Sequence, residues 1–368
     1  MGSIMVILDG MQDIAYDALG GCTPFEAGMG ESIRSFVEQS RTGTLKSTPD
    51  SFVPDTMACI VTLLGVPAQY VPRGRSYIEA LVQGMDVTDD DIILRCNFVK
   101  LDGNGNLEVP CYNAPKELAM AVRAELAAQS GHFITPVGGY KSLQLIKGRA
   151  GDLEGLETFA PHQHQGESFE DLLPRGNQLA IELADVSRSM YGKYKPCTVL
   201  NWSPAVKAKV PSFASIHGGM KGGMVSKTDA PMGAAIAMEM ECPSLPTATG
   251  DVDTDLSAKL EATLDLFSRN DFVMLHVGGP DEATHRQNPV EKANFIKRTD
   301  AEIFAPLMKR VPEGTRVMLT CDHAALCTTA GHTNEPVDFW IWEKGRILSG
   351  DLGLNEGIEA ISLLGRDV

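Results

Sequence analysis

Apolar runs and helix-like segments alternate along most of the chain, a pattern typical of an α/β protein. Residues 4–8, 271–277 and 316–320 are short, nearly continuous apolar runs, which predict strands covered on both faces of a sheet. Residues 256–268 carry apolar side chains at helical spacing, which predicts an amphipathic helix. We therefore expect an α/β core with a mostly parallel sheet.

Each of the three predicted strands leads into side chains that bind metal ions. The six groups are Asp9, Asp281, His285, Asp322, His323 and His332. Any one of them alone is more often a turn or capping residue. Because the carboxyl ends of parallel strands meet at one edge of a sheet, we expect all six to lie close together. Six nitrogen and oxygen ligands suit two divalent cations (Mn, Zn, Co or Mg) about 4 Å apart, the arrangement used for phosphoryl displacement.

Thr56 is the candidate nucleophile for such a site. It follows a turn at Pro54 and Asp55 and begins an apolar stretch that predicts a helix. The amino end of a helix favours a developing negative charge. The simpler interpretation is that Thr56 is an ordinary helix cap.

Residues 71–218 differ in character from the sequence on either side and predict a smaller α+β domain, inserted between residues 1–70 and 219–368 of the core. The glycine-rich turn around Lys221 does not match a nucleotide-binding motif. His276 lies inside a predicted strand, so we interpret it as a buried histidine that supports the core or the site.

Composition narrows the function further. The chain has 368 residues, of which 43% are hydrophobic and 22% charged, as in ordinary globular proteins. A net charge of −16 argues against nucleic acid or an anionic membrane as a partner, and no apolar run is long enough to span a membrane. The eight cysteines form no C-x-x-C pair, and the N-terminus has no signal-peptide layout. We expect a cytoplasmic protein with reduced thiols.

Several motifs, in order along nearly the whole chain, resemble one known family. They are VILDGMQD, LGGCTPFEA, RCNF, HVGGPDEATH and CDHAALCTTAGHTNEPV. They are similar to motifs of the archaeal-type cofactor-independent (2,3-bisphosphoglycerate-independent) phosphoglycerate mutases, members of the alkaline phosphatase superfamily. The resemblance implies an alkaline-phosphatase-like three-layer α/β/α core, two metal ions and a hydroxyl nucleophile that is transiently phosphorylated.

The resemblance also implies roles for individual residues. One metal ion would be bound by Asp9, Thr56, Asp322 and His323, and the other by Asp281, His285 and His332. The residues implied to bind the anionic substrate are Arg75, Arg95, Asn97, His162 and Lys221.

The chain departs from the family around these positions. Asp55 and Thr56 stand where the family has Gly-Ser, and Ile60 replaces a polar residue. Thr284 replaces a glycine, Asn288 replaces an acid, and the usual Thr-Pro after His323 is missing. The predicted ligands are thus present, while their surroundings differ.

The leading hypothesis is a mutase that interconverts 3-phosphoglycerate and 2-phosphoglycerate through phospho-Thr56. The alternative is a metal-dependent phosphomonoesterase or phosphonate hydrolase of the same superfamily, acting on another small phosphorylated or phosphonate acid. A non-catalytic relative is a third interpretation, against which the complete set of predicted ligands argues.

Overall fold

The computed structural model describes residues 2–365, which form two compact units. The first unit comprises the chain up to Val71 and from Val210 onward, and the second is Pro72–Lys209. Residues 210–218, which the sequence placed in the insertion, therefore group with the core. The reason is that Phe213 is buried in the core and stacks on Phe272, with ring centroids 5.3 Å apart.

The strands in chain order are β1 (Ser3–Leu8), β2 (Arg41–Lys46), β3 (Ile92–Leu101), β4 (Leu107–Val109), β5 (Phe133–Gly138), β6 (Lys141–Ile146), β7 (Cys197–Val206), β8 (Gly222–Val225), β9 (Phe272–Val277), β10 (Arg316–Thr320), β11 (Ala324–Leu326), β12 (Gly331–Thr333), β13 (Val337–Glu343) and β14 (Asp351–Glu356).

The helices are α1 (Pro24–Gly28), α2 (Glu31–Glu38), α3 (Thr56–Leu63), α4 (Arg75–Val82), α5 (Lys116–Ser130), α6 (Gln178–Tyr194), α7 (Phe213–Ile216), α8 (Asp229–Ala237), α9 (Leu256–Phe267), α10 (Gly279–His285), α11 (Pro289–Thr299), α12 (Ala305–Arg310) and α13 (Ala360–Gly365). Residues 300–304 form a π-helical turn that joins α11 to α12. Within the described residues, no helix is long and apolar enough to cross a membrane.

The first unit is built on a seven-stranded sheet in the order β14-β2-β13-β10-β1-β9-β8. β1 lies between β9 and β10 and is parallel to both, and β8 continues the parallel set beyond β9. β13 runs antiparallel to β10 and β2. The expected mostly parallel sheet is confirmed, and β13 is the strand that makes it mixed.

The five residues from Ile4 to Leu8 on β1 are all completely buried. Because successive side chains of a strand point to opposite faces, both faces of the sheet must be covered. Residues from α2, α3, α8, α9 and α11 join the strands in one hydrophobic cluster. This is the three-layer α/β/α arrangement that the sequence predicts.

The second unit is an antiparallel sheet in which β3 pairs with β4, β6 and β7, and β5 pairs with β6. Val122 and Leu126 of α5 and Met190 of α6 pack against Phe98 and Val199 of the sheet. The insertion therefore has its own core, as its separate pattern of strands and helices predicts.

Candidate metal centre

Asp9 and Asp322 lie next to each other where β1 and β10 end. The two strands are parallel neighbours, so the residues that follow them reach the same edge of the sheet. We call it the carboxyl edge, and the opposite edge, where β1, β9 and β10 begin, the amino edge. The Gly10 N–H donates to Asp322 Oδ1 at 3.3 Å. Nε2 of the adjacent His323 lies 3.3 Å from Asp322 Oδ2 and 3.6 Å from Asp9 Oδ1.

Asp281 and His285 lie one turn apart on α10, which follows β9 and has a proline in its first turn. His285 Nε2 is 3.1 Å from Asp281 Oδ2, and His332 Nε2 is 3.2 Å from Asp281 Oδ1. Nδ1 of His285 lies 3.1 Å from the Ala330 carbonyl and Nδ1 of His332 lies 3.1 Å from the Pro54 carbonyl. Each Nδ1–H therefore donates to a backbone oxygen, which leaves each Nε2 facing Asp281, the orientation found in histidines that bind metals.

Thr56 is the first residue of α3, and Asp55 is its N-cap, whose carboxylate accepts from the Ala58 N–H at 3.1 Å. The Thr56 hydroxyl is therefore not used for capping. It is buried, and its oxygen lies 3.4 Å from His323 Nε2. The predicted helix start is confirmed, and the simpler capping interpretation of Thr56 does not apply.

Many polar atoms at this edge have no hydrogen-bond partner among the described residues. They include Asp9 Oδ1, Asp281 Oδ1, Asp322 Oδ2, His276 Nε2 and His332 Nε2. Leaving such atoms unpaired in a protein interior is costly. Two ligands that are each about 2.1 Å from one ion and about 100° apart are separated by about 3.2 Å. The measured separations of 3.1–3.6 Å fit this value, so the donor set suits divalent cations.

The donors form two adjacent groups of three residues. Donor atoms of Asp281, His323 and His332 lie within 4.8 Å of one another, and so do donor atoms of Asp9, His276 and Asp322. The family resemblance implies that His323 binds the same cation as Asp9 and Asp322. In the structure His323 is also close to the other group, since its ring stacks on that of His332 with centroids 3.8 Å apart.

The electrostatics of the cation-free site show how strongly it is arranged for positive charge. Burial and the nearby Asp322 and Asp281 raise the pKa of Asp9 well above its usual range. Burial would also raise the pKa of Asp281, but the adjacent imidazoles of His285 and His332 outweigh this and hold the pKa well below the usual range. Three carboxylates in one buried place therefore call for compensating positive charge.

Lys221 does not reach this site. It is exposed and precedes β8, and its N–H donates to Asp271 Oδ2 at 2.8 Å, just before β9 begins. Because β8 and β9 are parallel, Lys221 lies at the amino edge. Lys227, which follows β8, lies at the carboxyl edge instead, and its charge contributes to the lowered pKa of the buried Lys259.

The other predicted substrate residues lie in the insertion. Arg95 is buried and forms a two-pronged ion pair with Glu79, with both N–O distances 2.9 Å. Its guanidinium lies 4.4 Å from the ring centre of Trp202, and the His162 ring lies 5.3 Å from the same ring. The structure thus brings Arg95 and His162 into contact with the same tryptophan.

Arg75 and Asn97 complete this part of the insertion. Arg75 begins α4. Burial lowers the pKa of His162, and the charges of Arg95 and Arg75 lower it further. Asn97 is buried on β3, two residues after Arg95, and its Oδ1 has no partner among the described residues. The region therefore combines positive charge with an unused amide.

Sequence reasoning missed Lys227, Lys259, Glu79 and Trp202, and it gave His276 only a supporting role. The argument from strand ends would have found Lys227, because it follows β8 as Asp9 follows β1. Lys259 is fully buried on α9, where a lysine at an apolar position is itself a signal. Its Nζ donates to the His276 carbonyl at 3.2 Å, and burial lowers its pKa to about 8.

Comparison with known proteins finds relatives along the full chain. The 2,3-bisphosphoglycerate-independent phosphoglycerate mutase of Methanothrix thermoacetophila is 25% identical over 99% of this chain and 99% of its own length. A probable enzyme of the same name from Geobacter sulfurreducens is 27% identical, over 97% of this chain and 93% of its own. These matches confirm the resemblance to the cofactor-independent phosphoglycerate mutases.

Solved structures support the fold. A Pyrococcus horikoshii protein superposes with a TM-score of 0.74 at 21% identity, covering 99% of this chain and 96% of that one. The cofactor-independent phosphoglycerate mutase of Thermoplasma acidophilum gives a TM-score of 0.64 at 18% identity, covering 99% of both chains. The model of the metalloenzyme superfamily matches residues 1–362. The chain belongs to the metalloenzyme superfamily.

Proposed function

We propose that the protein is a two-cation mutase that moves phosphate between the 3- and 2-hydroxyls of glycerate through phospho-Thr56. The observation that carries the proposal is the position of the Thr56 hydroxyl, buried at the start of α3 and 3.4 Å from His323 Nε2 among unpartnered ligands. The names of the full-length relatives support the choice of substrate.

Two sets of residues would bind the cations. Asp9, Thr56, Asp322 and His323 would bind the first, and Asp281, His285 and His332 the second. Bound there, divalent cations lower the pKa of a nearby hydroxyl and neutralise charge on a transferring phosphoryl group.

The residues of the chain supply the covalent step. In the first half-reaction, the Thr56 oxygen bonds to phosphorus while the bond from phosphorus to the glycerate oxygen breaks. The proton lost by Thr56 ends on the released glycerate hydroxyl. In the second half-reaction the oxygen of the neighbouring glycerate hydroxyl bonds to the same phosphorus while the bond from phosphorus to the Thr56 oxygen breaks, and the proton of that hydroxyl ends on the threonine.

Residues of the insertion would bind the charged groups of the substrate. Arg75 provides positive charge and N–H donors, the neutral His162 ring provides one N–H donor, and the Asn97 amide can bind a hydroxyl. Arg95 is already paired with Glu79, so its contribution is to orient Trp202 and the adjacent His162. Retransfer requires that glycerate be retained and that water stay out between the two half-reactions.

A direct test is to follow 3-phosphoglycerate by ³¹P NMR with the chelator-treated protein, with and without added Mn²⁺. A mutase gives 2-phosphoglycerate without inorganic phosphate, and only when the cation is present. Acid quenching during turnover, followed by peptide mass spectrometry, should find phosphate on Thr56. Conversion without any phosphopeptide would contradict the proposed intermediate.

The second candidate is hydrolysis of a phosphorylated or phosphonate acid. It is favoured by the altered surroundings of the site, including the apolar Ile60 on α3 and Thr284 on α10. The same NMR experiment decides between the two, because a hydrolase releases inorganic phosphate from its substrate. A protein that binds no cation and changes no substrate would support the non-catalytic alternative.

A further inference from the structure

His276 lies at the carboxyl edge but plays no part in the proposed mechanism. It is the penultimate residue of β9 and is completely buried opposite Ile7 of β1. Its Nε2 is 3.2 Å from Asp9 Oδ2, whereas His323 faces the other oxygen of this carboxylate, Oδ1. Nε2 has no hydrogen-bond partner among the described residues, so the ring needs a further explanation.

The contacts of Ser226 indicate which ring nitrogen of His276 carries the proton. Ser226 Oγ accepts from the Thr228 N–H at 3.1 Å and lies 3.5 Å from the Thr228 carbonyl, to which its own proton can go. His276 Nδ1 is 3.3 Å from the same oxygen. If Nδ1–H donates to the second lone pair of the Ser226 hydroxyl, the proton and both lone pairs of that hydroxyl have hydrogen-bond partners.

In this tautomer, Nε2 presents a lone pair to the oxygen of Asp9. Two lone pairs 3.2 Å apart repel each other unless a proton on Asp9 or a cation lies between them. That distance is also the separation of two ligands about 2.1 Å from one first-row ion. A histidine whose other nitrogen donates to a neighbouring oxygen has the arrangement found in metal-binding histidines.

We propose that His276 Nε2 is an additional ligand of the cation that Asp9 and Asp322 surround. The proposal rests on the proposed two-cation site and adds a second imidazole to the set formed with His323. A site with two imidazole nitrogens favours Zn, Co or Mn over Mg, which prefers oxygen ligands and water. His276 would thus help to select the class of cation.

The test counts the histidine nitrogens on one cation. In an Asp281→Asn/His285→Gln background, the second site is weakened, and one equivalent of Mn²⁺ occupies the Asp9 site. With ¹⁵N-labelled histidine, pulsed EPR should detect two nitrogen couplings, and His276→Gln should reduce them to one. The Mn²⁺ affinity should fall by at least about tenfold. One coupling in both proteins would overturn the proposal.

Two controls separate the possible failures. The glutamine of His276→Gln can still donate to Asp9, so unchanged affinity would mean that His276 serves as a proton donor, which also overturns the proposal. His217→Gln changes a half-buried histidine at the amino edge, whose Nε2 lies 2.8 Å from the Leu64 carbonyl, and should leave the couplings unchanged.

Absence of bound cation in the unmodified protein would contradict the proposed function as well, whereas an unchanged nitrogen count contradicts only the role of His276.

Discussion

The two edges of the core sheet differ in whether their polar side chains have hydrogen-bond partners. At the amino edge, Arg316 Nε donates to Glu343 Oε2 at 2.8 Å, and its guanidinium also donates to the Leu364 carbonyl at 3.1 Å. At the carboxyl edge, the corresponding ends of β1 and β10 lead to Asp9 Oδ1 and Asp322 Oδ2, which have no partner among the described residues.

The difference separates groups that stabilise the fold from groups that await a ligand. When the protein folds, the bonds of a paired polar group offset the free energy of removing that group from water. For an unpaired buried carboxylate, the desolvation free energy is offset only when a ligand binds. Substitutions at the amino edge should therefore change stability, and substitutions at the carboxyl edge should change activity and cation binding.

The largest expected effect is that of Thr56→Ala. Removal of a nucleophile should lower kcat by about 10⁴-fold or more, with little change in the melting temperature of the cation-free protein. Steady-state conversion of 3-phosphoglycerate provides the measurement. Thr56→Ser keeps a hydroxyl at the same place and should retain phosphoenzyme formation. Full activity of the alanine variant would show that the nucleophile lies elsewhere.

Lys292 tests whether every charge at the carboxyl edge belongs to the site. Its side chain and that of Asp13 are fully buried and paired at 2.9 Å, and Lys292 Nζ also donates to the Ala325 carbonyl at 2.8 Å. Lys292→Met leaves Asp13 without its counter-charge and should cost about 3–5 kcal/mol of unfolding free energy. Chemical denaturation measures this loss.

The matched control for Lys292 is the double variant Lys292→Met/Asp13→Asn, which removes the uncompensated charge and should recover most of the lost stability. A single variant as stable as the parent protein would show that Asp13 is compensated by other groups. The Lys292–Asp13 pair therefore tests whether a paired group at the carboxyl edge contributes to stability as the paired groups of the amino edge do.

Removal of the cations should lower the stability of the protein, and only substitutions at the carboxyl edge should change the size of this effect. A cation at 100 times its Kd stabilises by about 2.7 kcal/mol, which corresponds to a rise in Tm of about 5–10 °C for a unit of this size. Thermal unfolding with chelator and with Mn²⁺ measures the rise. Asp322→Asn should remove at least half of it. Glu343→Gln should lower Tm equally in both conditions, and an altered rise in this variant would break the distinction between the edges.

The smallest effect concerns pH. In the cation-free protein, Asp281 raises the pKa of His285 from 6.5 to about 9. The folded state then binds a proton more tightly than the unfolded state, so this contribution to stability is complete below pH 6.5 and lost as the pH rises to about 9. The side chain of His285 is 46% exposed, so solvent screens the effect.

Cation affinity should follow the opposite course, since a bound cation requires unprotonated His285 and affinity therefore rises over the same pH range. Denaturation and cation titration from pH 6 to 9 measure both slopes. His285→Gln should flatten both, while Arg316→Met should leave them unchanged. If unfolding free energy and cation affinity changed with pH in the same direction in the parent protein, the assignment of His285 as a ligand would be contradicted.

Much of the core followed from local pattern. β1, β9 and β10 were predicted because buried parallel strands are continuous apolar runs. Strand ends then located the ligands, since chain direction alone decides which edge a following residue reaches. The same reasoning, applied to β8, separates Lys227 from Lys221.

Other features depend on contacts between distant segments. The antiparallel position of β13 and the polar edge strand β14 are set by pairing with β2 and β10, which no local pattern specifies. The approach of His276 to Asp9 depends on the register of β9 on β1. Arg95 was predicted as a substrate contact, but its partner Glu79 is on another element, so the ion pair was invisible in the sequence.

The central position of β1 has a consequence for synthesis of the protein. β1 is translated long before its partners, since it pairs with Phe272–Val277 and with Arg316–Thr320, and Ser3 is in register with Arg316. At about 5–20 residues per second, the ribosome needs roughly 15–60 s to supply the last partner. During that time the insertion can fold on its own contacts, while β1 remains an unpaired apolar segment. We therefore expect the nascent chain to expose this apolar segment to chaperones until Arg316–Thr320 has emerged.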